Sequence, residues 1–324
     1  MFGSLASLPS IPFASAPTPV EELNRLRDAL GGGPRLLVKR DDTIGFAFGG
    51  NKVRKMRLVA ADAIANQADT LITCGGVQSN HARVTAAAAA RLGLRCILVA
   101  NGAQPERPTA NALLARLLGA EIRYVSSREA RAIEMEAAAE QEQRAGRRPY
   151  LIPLGASTPL GAAAFAHAVT ELLEQIPPPD VIVHSSSSGG TQAGLVAGCA
   201  LAGVRTKVIG ISADEPAPAL TATIRGLLAG LTELIAPADV TPLARLDAAE
   251  IDVDDRFVGA GYGAPTPESR EAIDLAARTE AIFVDHTYTA KAMAGLIARV
   301  RAGAFSDVAT VLFWHTGGQV GLFS

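Results

Sequence analysis

Short apolar runs alternate with longer amphipathic ones from about residue 69 onward. The runs "DTLITC" (69–74), "RCILVA" (95–100), "EIRYV" (121–125), "DVIVHS" (180–185), "KVIGIS" (207–212) and "VATVLFWH" (308–315) predict strands. Ala- and Leu-rich stretches at 80–92, 109–118, 127–145, 160–175 and 191–202 predict helices between them. Such alternation predicts an open α/β architecture, with helices covering both faces of parallel sheets. Another helix is predicted after Gly49-Gly50, where Val53, Met56, Val59, Ala60 and Ile64 recur on one face. The prolines of "QIPPPD" (175–180) mark a hinge or surface turn. Segment 213–266 reads as less regular, and "GAGYGAP" (259–265) as a Gly-rich loop.

The 324 residues suffice for one large or two medium domains. A formal net charge of −2 without a basic stripe argues against nucleic acid as a partner. No apolar run reaches the roughly 18 residues that span a bilayer, so no membrane association is expected. The N-terminal stretch is rich in small residues but lacks a basic start and a long apolar run, and reads as a mature leading segment. Cys74, Cys96 and Cys199 are odd in number and have no metal-ligand spacing. They read as buried structural thiols of a cytoplasmic, reduced, metal-free protein.

Candidate chemistry lies in the turns. "HSSSSGGTQAG" (184–194) follows a strand and opens a helix, combining glycines, hydroxyls and free N–H groups in a form that suits a phosphate. It has neither the lysine of a nucleoside-triphosphate loop nor the spacing of a dinucleotide fingerprint; a plain helix cap is the alternative. "CGGVQSNHARVTAA" (74–87) has the same form, with Ser79 or Asn80 as cap and room for a second anion such as a carboxylate. His81 stands in the first helical turn, where the dipole disfavours its protonated form. Among 30 basic residues only five are lysines, and two of them, Lys52 and Lys55, are three apart behind Gly49-Gly50. Two neighbouring ammonium groups depress at least one pKa and free an amine to attack an aldehyde; exposed surface lysines are the alternative. Tyr288 precedes an amphipathic helix and Thr316 follows an apolar strand, each able to bring a hydroxyl to a cleft or simply to pack.

A phosphate cup, a carboxylate cup and an activated lysine are what a pyridoxal phosphate enzyme acting on an amino acid requires. The chain resembles the D-cysteine desulfhydrase and 1-aminocyclopropane-1-carboxylate (ACC) deaminase family. The resemblance rests on "VKRDDTIGFAFGGNKVRK", "ADTLITCGGVQSNHARVTAA", "GGTQAGL", "YTAKAMAGL" and "FWHTGG", in that order. It implies the tryptophan synthase β-like fold (fold type II), with two open twisted parallel-sheet domains: a large one from 1–55 and 164–324, and a small one from 56–163. A homodimer and a small amino-acid substrate are also implied.

By the same resemblance, Lys52 is the lysine that bonds the cofactor and Lys55 its charged neighbour. Asn80 is the donor to the cofactor's phenolic oxygen, Ser188, Gly189, Gly190 and Thr191 form the phosphate loop, and Thr316 is the hydroxyl near the pyridine nitrogen. Ser79, Asn80, His81 and Thr158 are implied to meet the substrate, and Tyr262 and Tyr288 to face it. Lys52, Ser79 and Tyr288 are the candidates for proton transfer, with Tyr262 beside them. The implied reaction removes an α-proton and expels a β-substituent, giving pyruvate, ammonia and, from cysteine, sulfide. His81 and Thr289 stand where ACC deaminases usually have glutamine and glutamate, which points to the desulfhydrase branch. Thr158, Ser187 and His286 depart from that branch's usual asparagine, glycine and proline. L-Cysteate, other β-substituted alanines and ACC therefore stay open as alternative substrates.

Overall fold

The computed structural model describes residue 5 and residues 7–14, 17–235 and 240–324, without the side chains of 240–243; the expected leading segment lies partly outside them. The first sheet contains β1 (Val20–Glu22), β2 (Arg35–Arg40), β7 (Val181–Ser186), β8 (Lys207–Ser212), β9 (Asp252–Asp254) and β10 (Thr310–His315). Its order is β1-β2-β10-β7-β8-β9, parallel throughout except where β1 pairs antiparallel to β2. The second is wholly parallel, in the order β5-β4-β3-β6, from β3 (Thr70–Gly76), β4 (Arg95–Asn101), β5 (Glu121–Val125) and β6 (Pro149–Ile152). Two parallel-sheet α/β domains are thus present, as expected.

The helices are α1 (Asn24–Ala29), α2 (Asn51–Ala65), α3 (Asn80–Leu92), α4 (Ala110–Leu117), α5 (Ala130–Arg144) and α6 (Pro159–Gln175), followed by α7 (Gly190–Ala202), α8 (Ala217–Ile235), α9 (Val240–Asp247), α10 (Pro267–Glu280) and α11 (Thr289–Arg301). Among the described residues, none is long and apolar enough to cross a membrane. All three cysteines are buried and free.

Helix α2 belongs to both cores. Val53, Met56, Val59 and Ala60 pack with Leu71, Val84 and Leu98 of the four-stranded sheet's core, while Leu58 joins Phe165 and Trp314 in the other. Ile64, expected on the buried face, is 43% exposed near the helix end. Polar clamping adds to this packing. Arg54 pairs with Asp41 at 2.8 Å and with Glu171 of α6 at 2.8 Å, Lys39 meets Glu171 at 2.7 Å, and Trp314 Nε1 donates to Asp41 at 2.8 Å. Helices α6 and α7 approach closely because of glycine: a Cβ at Gly198 would lie 2.7 Å from Val169 Cβ.

Two sequence expectations are corrected. Segment 213–266 holds the 19-residue helix α8, whose buried Leu220, Ile224, Leu228, Leu231 and Ile235 recur at helical spacing. Strands β1, β2, β6 and β9 were not anticipated, because short strands and strands flanked by charges carry little apolar signal.

Candidate active site

The C-terminal ends of β3 and β7 and the start of α2 converge on a cavity of about 450 Å³. Lys52, Ser79, Asn80 and His81 line it from α2 and the β3–α3 turn. Ser188, Gly189 and Thr191 line it from the β7–α7 turn, with Tyr262, Tyr288 and Thr316 completing the wall. A crevice at the carboxyl ends of parallel strands is where open α/β sheets bind ligands.

Lys52 is half-buried and Lys55 fully buried, so neither is a free surface lysine. Lys52 Nζ reaches Gly155 O at 3.4 Å, while Lys55 Nζ donates to Gly155 O and to Ser157 Oγ, each at 3.2 Å. Burial pushes the Lys52 amine down to about 8. Burial, then the charge of Lys52, holds Lys55 well below the ordinary lysine range. Neither Lys55 nor Gly190 faces the cavity directly. Both stand behind it, and a Cβ on Gly190 would fall 2.7 Å from both Lys55 Nζ and Ser157 Oγ.

The phosphate-type turn is cross-braced. Ser157 Oγ lies 2.7 Å from Ser188 Oγ and accepts from Gly190 N at 3.2 Å, and Asn51 Nδ2 donates to Thr191 Oγ1 at 2.9 Å. Gly189, at φ 78°, occupies a left-handed conformation that favours glycine and opens α7 without a side-chain cap. Ser185 Oγ and Ser186 Oγ are buried at the cavity with no partner among the described residues.

On the facing turn Ser79 is the N-cap of α3, its Oγ accepting from Ala82 N at 3.2 Å. His81 Nε2 lies 2.8 Å from Thr73 Oγ1, whose single hydrogen goes to Ile152 O at 2.7 Å. His81 therefore carries its proton on Nε2 and leaves Nδ1 as a buried acceptor with no partner among the described residues. Burial, then Lys52 and Lys55, holds its pKa well below the ordinary histidine value, so burial rather than the helix dipole is the main cause.

Tyr288 is placed by Asp285, whose carboxylate accepts from the backbone N–H groups of Thr287, Tyr288 and Thr289, each at 3.0 Å. The Tyr288 and Tyr262 hydroxyls are hydrogen-bonded to each other, and their rings meet edge to face. Burial raises both phenol pKa values, so both are neutral at pH 7. The substrate contact expected for Thr158 has no counterpart in the lining: its hydroxyl caps α6, accepting from Gly161 N at 3.0 Å. Thr289, the other branch-distinguishing position, is fully buried and bonded to Asp285.

Sequence reasoning missed Arg128, Asp214 and Gly155. Arg128 lines the cavity with its side chain partly exposed, pairing with Asp214 at 2.6 Å and lying 5.2 Å over the Tyr262 ring. Residues so far apart in the chain leave no local signal. Gly155 does leave one, as a glycine in the "GASTPLG" turn, where it adopts φ 69°.

Comparison with known proteins adds to the geometry. The family model described as "Pyridoxal-phosphate dependent enzyme" matches residues 11–317. The D-cysteine desulfhydrase of Klebsiella pneumoniae (strain 342) is 37% identical over 333 residues, covering 99% of this chain and 97% of that protein. The crystal structure of an ACC deaminase homologue superposes with a TM-score of 0.90 at 34% identity, covering 99% of this chain and 95% of the other. A threonine deaminase isoform from Solanum lycopersicum, at 19% identity and a TM-score of 0.68, shares the fold.

The residues present fit pyridoxal phosphate. The unpartnered Ser185 and Ser186 hydroxyls and the glycine-lined opening of α7 form a cradle for a phosphate, and Lys52 supplies an amine for an aldehyde.

Proposed function

The chain belongs to the pyridoxal-phosphate dependent enzymes, and on that premise we propose that it is a carbon–sulfur lyase acting on D-cysteine, with pyruvate, ammonia and sulfide as products. The observation that carries this reading is the depressed Lys52 amine, in one cavity with Ser79, Asn80 and the Tyr262–Tyr288 pair. When bound, pyridoxal phosphate supplies an aldehyde for amines and an electron-accepting ring that stabilises charge at the substrate α-carbon.

The chain's own groups divide the remaining work. Ser188, Gly189, Gly190 and Thr191 hold the phosphate, with the charge of Lys55 behind them. Thr316 would partner the ring nitrogen. Asn80 would donate to the phenolic oxygen. The substrate carboxylate sits at the start of α3, where Ser79 and the free N–H groups favour an anion. Lys52, its amine depressed and in the cavity wall, would move the α-proton. The paired neutral tyrosines are suited to donate a hydrogen bond or a proton to the departing sulfur. Arg128, tied to Asp214 at the cavity, limits water entry.

Division of the domains at 1–55 and 164–324 against 56–163 is part of the proposal, as is a cytoplasmic homodimer. The buried free cysteines favour a reducing compartment. Light scattering of the purified protein tests the dimer.

Substrate choice is tested by keto-acid assay of the loaded enzyme with D-cysteine, L-cysteine, L-cysteate and ACC in parallel, with Lys52→Ala as control. Pyruvate with sulfide from D-cysteine is the expected result. Sulfite from L-cysteate would change the leaving group, and 2-oxobutanoate from ACC would replace the reading.

A further inference from the structure

Lys291 is fully buried in the first turn of α11, just beyond Tyr288. Its ammonium donates to three backbone carbonyls: Val258 O at 2.8 Å, Gly261 O at 2.9 Å and Ala213 O at 3.2 Å. Three donors meet three acceptors, and among the described residues no carboxylate lies within ion-pair distance. As a stabilising device this is a poor choice. Burial works against the charge, only partly offset by Asp214 and Asp285, and a helix N-terminus repels a cation.

What the ammonium does is gather three segments of the cavity wall. Ala213 follows β8 and precedes Asp214, which pairs with Arg128 at the cavity. Val258 and Gly261 lie in the loop that carries Tyr262, and α11 itself carries Tyr288. Carbonyl oxygens converging on one point repel one another unless a cation replaces the hydration they have lost.

We propose that Lys291 is a tethered substitute for a bound monovalent cation, and that its ammonium positions the Tyr262 loop and the Asp214 turn against the active cavity. It is a positioning residue, acting through Tyr262. The inference rests on the reading of Tyr262 as a group that faces substrate.

The test uses Lys291→Ala and Lys291→Met, both as full-length holoenzymes, in potassium, ammonium or tetramethylammonium salts. Amide hydrogen exchange of the 258–262 loop is read alongside kcat. In tetramethylammonium, too large for the cage, Lys291→Ala is expected to exchange faster in this loop by roughly tenfold or more and to lose kcat rather than gain KM. Potassium or ammonium should restore both, whereas Lys291→Met, whose side chain fills the space without charge, should not be rescued. The parent enzyme should be indifferent to the choice of cation, because its cage is already filled.

Normal exchange and turnover in Lys291→Ala would overturn the proposal, as would a loss that no small cation reverses. Failure of Lys291→Ala to fold in every salt would do the same, since a free ion would then be unable to replace the side chain; folding only with potassium or ammonium would support it. Potassium activation of the parent enzyme would also overturn it. Exchange is read without substrate, so an error in the assigned substrate leaves this outcome unaffected.

Discussion

Lys52 and Lys55 share one acceptor, the carbonyl oxygen of Gly155, at 3.4 and 3.2 Å. One turn of α2 sets the two side chains side by side, and a single oxygen in a buried site cannot satisfy two ammonium groups. Burial lowers both amines, the charge of Lys52 lowers Lys55 further, and Lys52 is the member that lines the cavity.

The rate of cofactor attachment should follow from this. With the Lys52 pKa lowered to about 8 by burial, the neutral amine is the minor form at pH 7 and the major form above 8. Covalent attachment of pyridoxal phosphate to cofactor-free protein is expected to accelerate with pH up to about 9, following a titration near 8. Stopped-flow absorbance measures it. A profile flat from pH 6 to 9 would mean that deprotonation of Lys52 does not control attachment, and Lys52→Arg should show no attachment at any pH.

Gly155→Ala should disturb the same point from the other side. At φ 69° a Cβ there would collide with Ser188 Oγ and lie 3.2 Å from Lys52 Nζ. The chain would have to move either Lys52 or the turn that carries Ser188. Bound cofactor per chain, measured after dialysis, is expected to fall by roughly tenfold or more, the scale of one lost charge-assisted hydrogen bond. Full retention would mean that the turn yields without moving Lys52.

Much of this arrangement was legible in the sequence, for reasons visible in particular residues. Strands β3, β4, β7, β8 and β10 coincide with apolar runs because these parallel strands are buried on both faces, and the half-exposed edge strand β5 coincides with the β-prone run "EIRYV". Strand β2 escaped notice because "RLLVKR" reads as polar; its Lys39 is fully buried only through a partner, Glu171, far along the chain. That Lys52, Ser79, Asn80 and the Ser188–Thr191 turn would be candidates was readable because their glycines, hydroxyls and lysine are neighbours in the chain, and the structure brings them to one cavity. The Arg128–Asp214 pair and the carbonyl cage of Lys291 exist only after folding. Thr158, a motif residue expected at the substrate, has its hydroxyl engaged as a helix cap outside the cavity lining.

Glu171 should govern acid stability. Burial alone would raise its carboxyl, but Arg54 and Lys39 outweigh that and bring it from an ordinary 4.5 to about 2. Because the folded pKa is depressed, the stabilisation is complete above pH 4.5 and is lost as pH falls towards 2; the shift is worth roughly 3 kcal/mol. Glu171→Gln leaves Lys39 and Arg54 short of a counter-charge and is expected to cost roughly 3–5 kcal/mol at pH 7. Urea unfolding across this pH range measures both, and an unchanged acid limb in Glu171→Gln would assign the acid sensitivity elsewhere.

Asn80 offers the most specific test of the site. Its Oδ1 accepts from Arg83 Nη1 and from Asn111 Nδ2, each at 3.0 Å. Arg83 is itself anchored to Gly49 O at 2.9 Å and to Asn111 Oδ1 at 2.8 Å. With the amide oxygen committed, the NH₂ end is left as donor, as a partner for the cofactor's phenolic oxygen must be. A donor there favours the ionised oxygen and lowers its pKa. Arg83→Met should release the amide, raise the midpoint of the bound cofactor's spectral titration by roughly one unit, and weaken retention. Asn80→Asp should shift the midpoint the same way, because its carboxylate pairs with Arg83 and donates nothing. If Arg83→Met folds, binds cofactor and titrates at the parent midpoint, Arg83 does not orient the amide; a parent midpoint in Asn80→Asp as well would remove Asn80 from the phenolic oxygen.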